Sequence, residues 1–350
     1  MILIYLFFFV VGLVFLVKGS GFFVKSAASI AKKLGVSDFI IGLTLVAVGT
    51  SIPELAASIV AALRAESGLV IGTAIGANIA RIALVIGSAA LVAIIKTKEE
   101  MVDRDGYIML FAAALFMVFI YNGVLSRLEA FVLLMLFVAY NVYLFEAKPK
   151  LEGRYRFKQF LDYFLRFRYV LTIKSKIVAG INYTKNGTGL VKIRQLFMAG
   201  LFKDSILLIL SGTIIVIGAN YLVECAVFFA DLLKVPHALI GVTIIAIGTS
   251  LPELSVVISA ARKGFGNIAV GTIVGSNIAH IFLIVGLSGL INPLTVSRIS
   301  IFYMAPFMLL MSLFLLFFIR SNWEIRREEG AVLIFFYAIF MVVLFFGGLI

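Results

Sequence analysis

Apolar residues run along the chain in long stretches, and polar residues interrupt them at regular intervals. A transmembrane helix needs about 20 mostly apolar residues, and that template finds ten spans: 2–24, 39–63, 70–95, 107–121, 127–146, 203–229, 238–262, 268–290, 299–320 and 330–349. The pattern predicts an all-α polytopic membrane protein. The interruptions carry a second pattern. Lys25, Lys32 and Lys33 follow the first span, Lys96, Lys98 and Arg104 the third, Arg262 and Lys263 the seventh, and Arg320, Arg326 and Arg327 the ninth, while a dense basic set fills 148–203. The alternate gaps are nearly free of Lys and Arg. Because basic loops stay on the cytoplasmic side, this alternation places both termini outside, the 147–202 loop in the cytoplasm and the chain in the cell (plasma) membrane.

Segments 41–87 and 240–286 align without a gap at a constant offset of 199 (240 − 41). Roughly half of the aligned positions are identical, the self-similarity of an internal repeat. "IGLTLVAVGTSIPEL" matches "IGVTIIAIGTSLPEL", and "GTAIGANIARI" matches "GTIVGSNIAHI". Each half holds five spans, an odd number, so the second copy enters the membrane with the opposite orientation. The expected organisation is a first five-helix repeat over 1–146, a basic loop over 147–202 and a second, inverted repeat over 203–350. In secondary transporters, inverted repeats bind substrate and coupling ions near the midplane, at the repeat interface and often on interrupted helices.

Composition narrows the class further. Hydrophobic residues make up 63% and charged residues 14%, which excludes a soluble domain, whose composition runs to about 25% charged residues. The net charge of +12 lies in the alternating loops, so no nucleic-acid partner is expected. The opening "MILIYLFFFVVGLVFLVKG" lacks a basic start and a small-residue cleavage site, and reads as a retained first helix. The single cysteine, Cys225, leaves no intrachain disulfide and no cysteine metal cluster. "RYRFKQFLDYFLRFRYVL", within the central loop, mixes aromatic and basic residues as an interfacial helix on membrane lipid would. A solvated linker fits it equally well. No "HExxH" motif and no Ser/His/Asp set at one depth is present, so an enzyme is not expected, nor a cofactor.

The candidate chemistry lies at the span centres. Glu54 and Glu253 fall near the middle of 39–63 and 238–262. An acid there costs about 2.5–3.5 kcal/mol on insertion scales, and such residues line ion paths or bundle interiors. Pro53 and Pro252 lack an N–H and clash with the preceding turn, which frees carbonyls around Gly49 and Gly248. Thr50, Ser51, Thr249 and Ser250 add hydroxyls at the same level. An all-oxygen set suits hard cations such as Ca²⁺ or Na⁺. Gly-rich "GTAIGANI" and "GTIVGSNI" predict close helix packing, and Asn78 and Asn277 either bridge helices or line the site.

These residues resemble the cation/calcium antiporters that include the Na⁺/Ca²⁺ exchangers, through both "GTSxPE" motifs and both "GxNI" segments. The resemblance implies a secondary cation antiporter with alternating access, transporting Na⁺ and/or Ca²⁺, with H⁺ as an alternative coupling ion. It also implies a cation site of Glu54, Glu253, Thr50, Thr249, Ser51, Ser250 and Ser276, with Glu54 and Glu253 holding the metal ion. Two departures bear on selectivity. Ala77 stands where family members usually have Ser, and Arg81 and His280 stand where they usually carry Asn or Asp facing the ions. Arg81 therefore reads either as a built-in cation or as a static salt bridge, and His280 either as a proton-coupling group or as a core histidine. A non-transporting sensor or lipid-binding relative is the remaining alternative; His237, at a span edge, is expected to be interfacial.

Overall fold

A computed structural model describes residues 2–33, 51–97, 99–146, 157–170 and 202–347. Helices α1 (Ile2–Lys33), α2 (Ile52–Leu63), α3 (Ser67–Val92), α4 (Tyr107–Phe119) and α5 (Arg127–Glu146) come from the first half of the chain. A short helix, α6 (Phe157–Leu165), follows. The second half supplies α7 (Phe202–Leu233), α8 (Ala246–Arg262), α9 (Gly266–Ile291), α10 (Ser300–Asn322) and α11 (Arg327–Gly347). Among the described residues seven helices are long and apolar enough to cross a membrane, and an eighth span is bent. The other two expected spans are not among these. Span 107–121 yields the 13-residue α4, entered through a π turn at Val102–Gly106. Span 39–63 is described only from Ser51 onward, as the 12-residue α2.

Packing shows the opposed directions of the two halves. Helix α1 lies antiparallel against α7: Tyr5 stacks on Phe228 at one end with ring centroids 3.7 Å apart, and at the other Ser29 Oγ donates to Asp204 Oδ2 at 2.5 Å. Between them Gly12 and Gly218 bring the backbones together. A Cβ on Gly12 would sit 2.9 Å from the Gly218 carbonyl oxygen, and one on Gly218 would sit 2.8 Å from that of Gly12. Small residues permit this approach where lipid leaves van der Waals contact as the main attraction between helices.

Helices α3 and α9 form the centre. In α3, 94% of the apolar stretch is buried, and in α9 72%, against 22% in α1. Helix α3 starts beside His237, which contacts Glu66, and ends at strand β1 (Ile95–Lys96). Helix α9 starts against Lys96, whose carbonyl oxygen lies 2.0 Å from a Cβ placed on Gly266, and ends at strand β3 (Leu294–Thr295). The two central helices thus run in opposite directions. Strand β1 pairs antiparallel with β4 (Glu324–Ile325), and β2 (Val124–Leu125) with β3, so each two-residue ribbon joins one half of the chain to the other. These ribbons are an addition to the expected all-helical architecture. Being only two residues long, they carry no apolar alternation to read.

The glycines of "GTAIGANI" do allow close packing. Cβ atoms on Gly72 and Gly76 would sit 2.2 Å from the Ala238 carbonyl oxygen and 2.4 Å from Val242 Cα. Gly275, in the second copy, meets nothing within 4 Å among the described residues. Helix α6 packs its buried Phe160 and Tyr163 towards Tyr143 of α5, with ring centroids 5.7 Å apart in both pairs, and leaves Leu165 exposed. The rest of the 147–202 loop lies outside the described residues. Overpacking a tight core costs about 1–3 kcal/mol, so Gly72→Ala is expected to lower the thermal unfolding midpoint of the detergent-purified protein. Gly271→Ala, whose Cβ would meet Met101 Sδ at an ordinary 3.6 Å, should leave it nearly unchanged; equal midpoints for the two variants would contradict the packing.

Candidate cation site

Arg81 sits at the end of the α-helical first part of α3 and opens a π turn, Arg81–Ile86. His280, its counterpart 199 positions on, opens the matching π turn in α9, His280–Val285. Such turns hold an extra residue and recur at functional sites. They carry no sequence signal that a hydrophobic-periodicity reading detects. Glu54 lies in the first turn of α2, whose start is set by Pro53 at one of the first two positions, where a missing N–H costs no helical hydrogen bond. The span that carries Pro252 changes direction by 49° between the part ending at Ser250 and the part starting at Glu253, within α8. A proline in the sequence is the usual cause of such a sharp kink.

These elements bring the two motif glutamates to one point. Arg81 Nη2 donates to Glu54 Oε1 at 2.8 Å, and Arg81 Nε donates to Glu253 Oε2. The arginine and Glu54 side chains are 0% exposed and Glu253 1%. Ser276 Oγ donates to Glu253 Oε1 at 3.1 Å. The triad therefore joins α2, α3 and α8, and the serine adds α9. With both acids and the guanidinium ionised its charge is −2 + 1 = −1.

The other expected residues divide. Thr249 Oγ1 donates to the Ile245 carbonyl at 3.0 Å and Ser250 Oγ to that of Ala246 at 2.7 Å, so both hydroxyl hydrogens are tied to their own helix. Such back-bonding to the preceding turn favours bent helices. Ser51 Oγ, Glu54 Oε2, Arg81 Nη1 and both ring nitrogens of His280 are buried without a hydrogen-bond partner among the described residues. Thr50, Gly49 and the carbonyls before them lie outside the described residues. Asn277 Nδ2 donates to the Asn78 carbonyl at 3.4 Å and approaches Met109 Sδ at 3.7 Å, which makes it a bridge between α9, α3 and α4. Met109 reads in the sequence only as one more apolar residue of a span. His237 is more than interfacial: its ring contacts Glu66 Oε2 at 2.6 Å and Asp231 Oδ1 at 3.2 Å. Cys225 is a free, buried thiol.

Two carboxylates around one guanidinium, with the Ser276 hydroxyl on Glu253, form an enclosed cluster between the halves of the chain. Among the described residues no group of three or more His, Cys, Asp or Glu side chains is placed to hold a metal ion, so the acidic part of the cluster consists of Glu54 and Glu253 alone. The sequence matches the family described as "Sodium/calcium exchanger protein" twice, over residues 4–146 and 204–346. The chain belongs to that family. It is 51% identical over 338 residues to the Sodium/calcium exchanger MaX1 of Methanosarcina acetivorans, covering 96% of this chain and 97% of that one. It is 31% identical over 288 residues to the Inner membrane protein YrbG of Escherichia coli, covering 81% and 79%. Among solved structures it resembles the sodium-calcium exchanger NCX_Mj soaked with 100 mM Na⁺ and 10 mM Sr²⁺, with a TM-score of 0.59 and 27% identity over 98% of this chain and 99% of that one. This family member is an integral membrane transporter of the sodium/calcium-exchanger kind and not an enzyme.

Removing one partner from a buried ion pair leaves an uncompensated charge and costs about 3–5 kcal/mol. Arg81→Met in a buffer free of small inorganic cations is therefore expected to lower the unfolding midpoint sharply. The triple variant Arg81→Met, Glu54→Gln, Glu253→Gln should recover most of the loss. A single Arg81→Met variant as stable as the parent would show that the triad is not held together by charge.

Proposed function

We propose that Glu54 and Glu253 form the midplane cation site of an alternating-access antiporter, with Ser51, Ser276, Thr50, Thr249 and Ser250 as its hydroxyl-bearing surroundings. The observation that carries this reading is the meeting of two carboxylates, one from each half of the chain, at a single buried point. Acids that no solvent reaches persist in a membrane where they pair or take up ions. A cation entering from either face would find the same two carboxylates, because each half of the chain supplies one of them to the shared point. An oxygen-only ligand set suits hard cations, so the exchanged ions belong to the class of sodium, calcium and protons, and the charge at the site selects among them.

The same reading divides the chain into repeats 1–146 and 203–350, joined by a cytoplasmic 147–202 loop, with both termini outside in the cell membrane. Three observations support it: the double family match, the antiparallel packing of α1 on α7, and that of α3 against α9. The 49° bend in α8 and the paired π turns supply hinges, and rocking one repeat against the other would expose the site alternately. Helix α6 would lie in the headgroup layer on membrane lipid, its aromatic face against α5.

Glu54→Gln and Glu253→Gln each remove a carboxylate with little change in volume, and both are expected to abolish cation flux in proteoliposomes at ordinary protein levels. Near-normal flux in either variant would remove that glutamate from the mechanism. Orientation is tested in a Cys225→Ser background: Asn186→Cys should react with a membrane-impermeant thiol reagent only after permeabilisation, and Asn122→Cys in intact cells. The reverse pattern would invert the proposed topology.

A further inference from the structure

The cluster is asymmetric in a way that bears on which ions it accepts. Of its four carboxylate oxygens, three already accept hydrogen bonds: Glu253 Oε2 and Glu54 Oε1 from Arg81, and Glu253 Oε1 from Ser276. The fourth, Glu54 Oε2, is buried and has no hydrogen-bond partner among the described residues, and neither has Ser51 Oγ one helical turn earlier. In the second copy the hydroxyl hydrogens of Thr249 and Ser250 go to backbone carbonyls. The carboxylate oxygen left without a partner among the described residues thus belongs to the first copy, while the guanidinium faces the second-copy carboxylate as well as the first.

We propose that Arg81 is a specificity-determining residue whose guanidinium takes the place of one cation charge, so that the site accepts a single monovalent cation at Glu54 Oε2 and Ser51 Oγ and holds Ca²⁺ poorly. This rests on the triad being the transport site. A guanidinium effectively never deprotonates in a protein, so the charge available to an incoming ion stays at −1 as long as both glutamates are ionised. One Na⁺-like ion brings the cluster to neutrality. A divalent ion overshoots by one charge beside a fixed positive group in a poorly screened interior. Calcium also takes six to eight oxygen ligands, usually with more than one carboxylate, whereas three of the four carboxylate oxygens here are engaged and Ala77 brings no hydroxyl. His280, the counterpart of Arg81, has two unbonded ring nitrogens in the same buried layer and adds no anionic oxygen. The reaction implied is exchange of one monovalent cation for another, a proton included.

The test is equilibrium binding of radiolabelled Na⁺ and Ca²⁺ to the detergent-purified full chain, followed by flux of the same ions in proteoliposomes. The parent protein is expected to bind about one Na⁺ per chain, and Ca²⁺ at equal concentration should not displace it. Arg81→Asn with His280→Asp should bind Ca²⁺ at least about tenfold more tightly than the parent. Parent protein that binds Ca²⁺ as tightly as the double variant, or whose Na⁺ is displaced by equal Ca²⁺, overturns the proposal; the displacement measurement needs no variant and decides the matter if the double variant does not fold. Expected binding without flux of any ion would sink the transporter reading and uphold the charge argument. Robust Ca²⁺ flux by the parent would do the reverse.

Discussion

A guanidinium shared by two carboxylates, with none of the three groups in contact with solvent, is the interaction on which the centre of this molecule depends. Charged groups in a membrane interior persist only when they are paired or face a polar cavity, and here pairing requires three helices to meet, with a fourth adding a supporting hydroxyl. Glu54 comes from α2, Arg81 from α3, Glu253 from α8 and the supporting Ser276 from α9. Displacing α2, α3 or α8 would leave a charge without its partner, a loss larger than most single packing contacts. The triad therefore fixes the relative positions of the two halves as well as the character of the site.

The scaffold reaches that point by close backbone approach. Gly72 and Gly76 let α3 lie against the segment that leads into α8, and Gly12 and Gly218 do the same for α1 and α7. Two proline effects then aim the glutamates: Pro53 starts a helix, so Glu54 stands in a first turn, and the bend at Pro252 redirects α8 immediately before Glu253. Paired π turns begin at Arg81 and His280. The duplicated architecture thus brings equivalent backbone positions together and lets the side chains differ.

That difference is the functional content of the site. A symmetric cluster with two open carboxylates would present twice the negative charge of the one found here, where Arg81 cancels one carboxylate and His280 adds no anionic oxygen. Sodium/calcium-exchanger architecture and an arginine-filled centre are compatible because the fold is carried by the apolar spans and small residues. On the proposed reading, selectivity rests on the few polar side chains where α2, α3, α8 and α9 meet.

Much of this was legible in the sequence. Apolar runs, basic gaps and a constant offset of 199 mark a duplicated polytopic helical protein, because a bilayer constrains length and polarity so strongly that each span declares itself. The depth of Glu54, Glu253, Arg81 and His280 follows from their place within those runs. Tertiary structure decided the rest. It determined that one arginine serves both glutamates, that Thr249 and Ser250 turn their hydroxyls to their own helix, that α8 changes direction by 49° between Ser250 and Glu253, and that His237 meets Glu66 and Asp231. It also joined the halves through ribbons too short to leave a pattern. Hydrophobic periodicity records which face of a helix avoids lipid, whereas the partner of a buried polar atom depends on distances across helices far apart in sequence, and those exist only once the helices have packed.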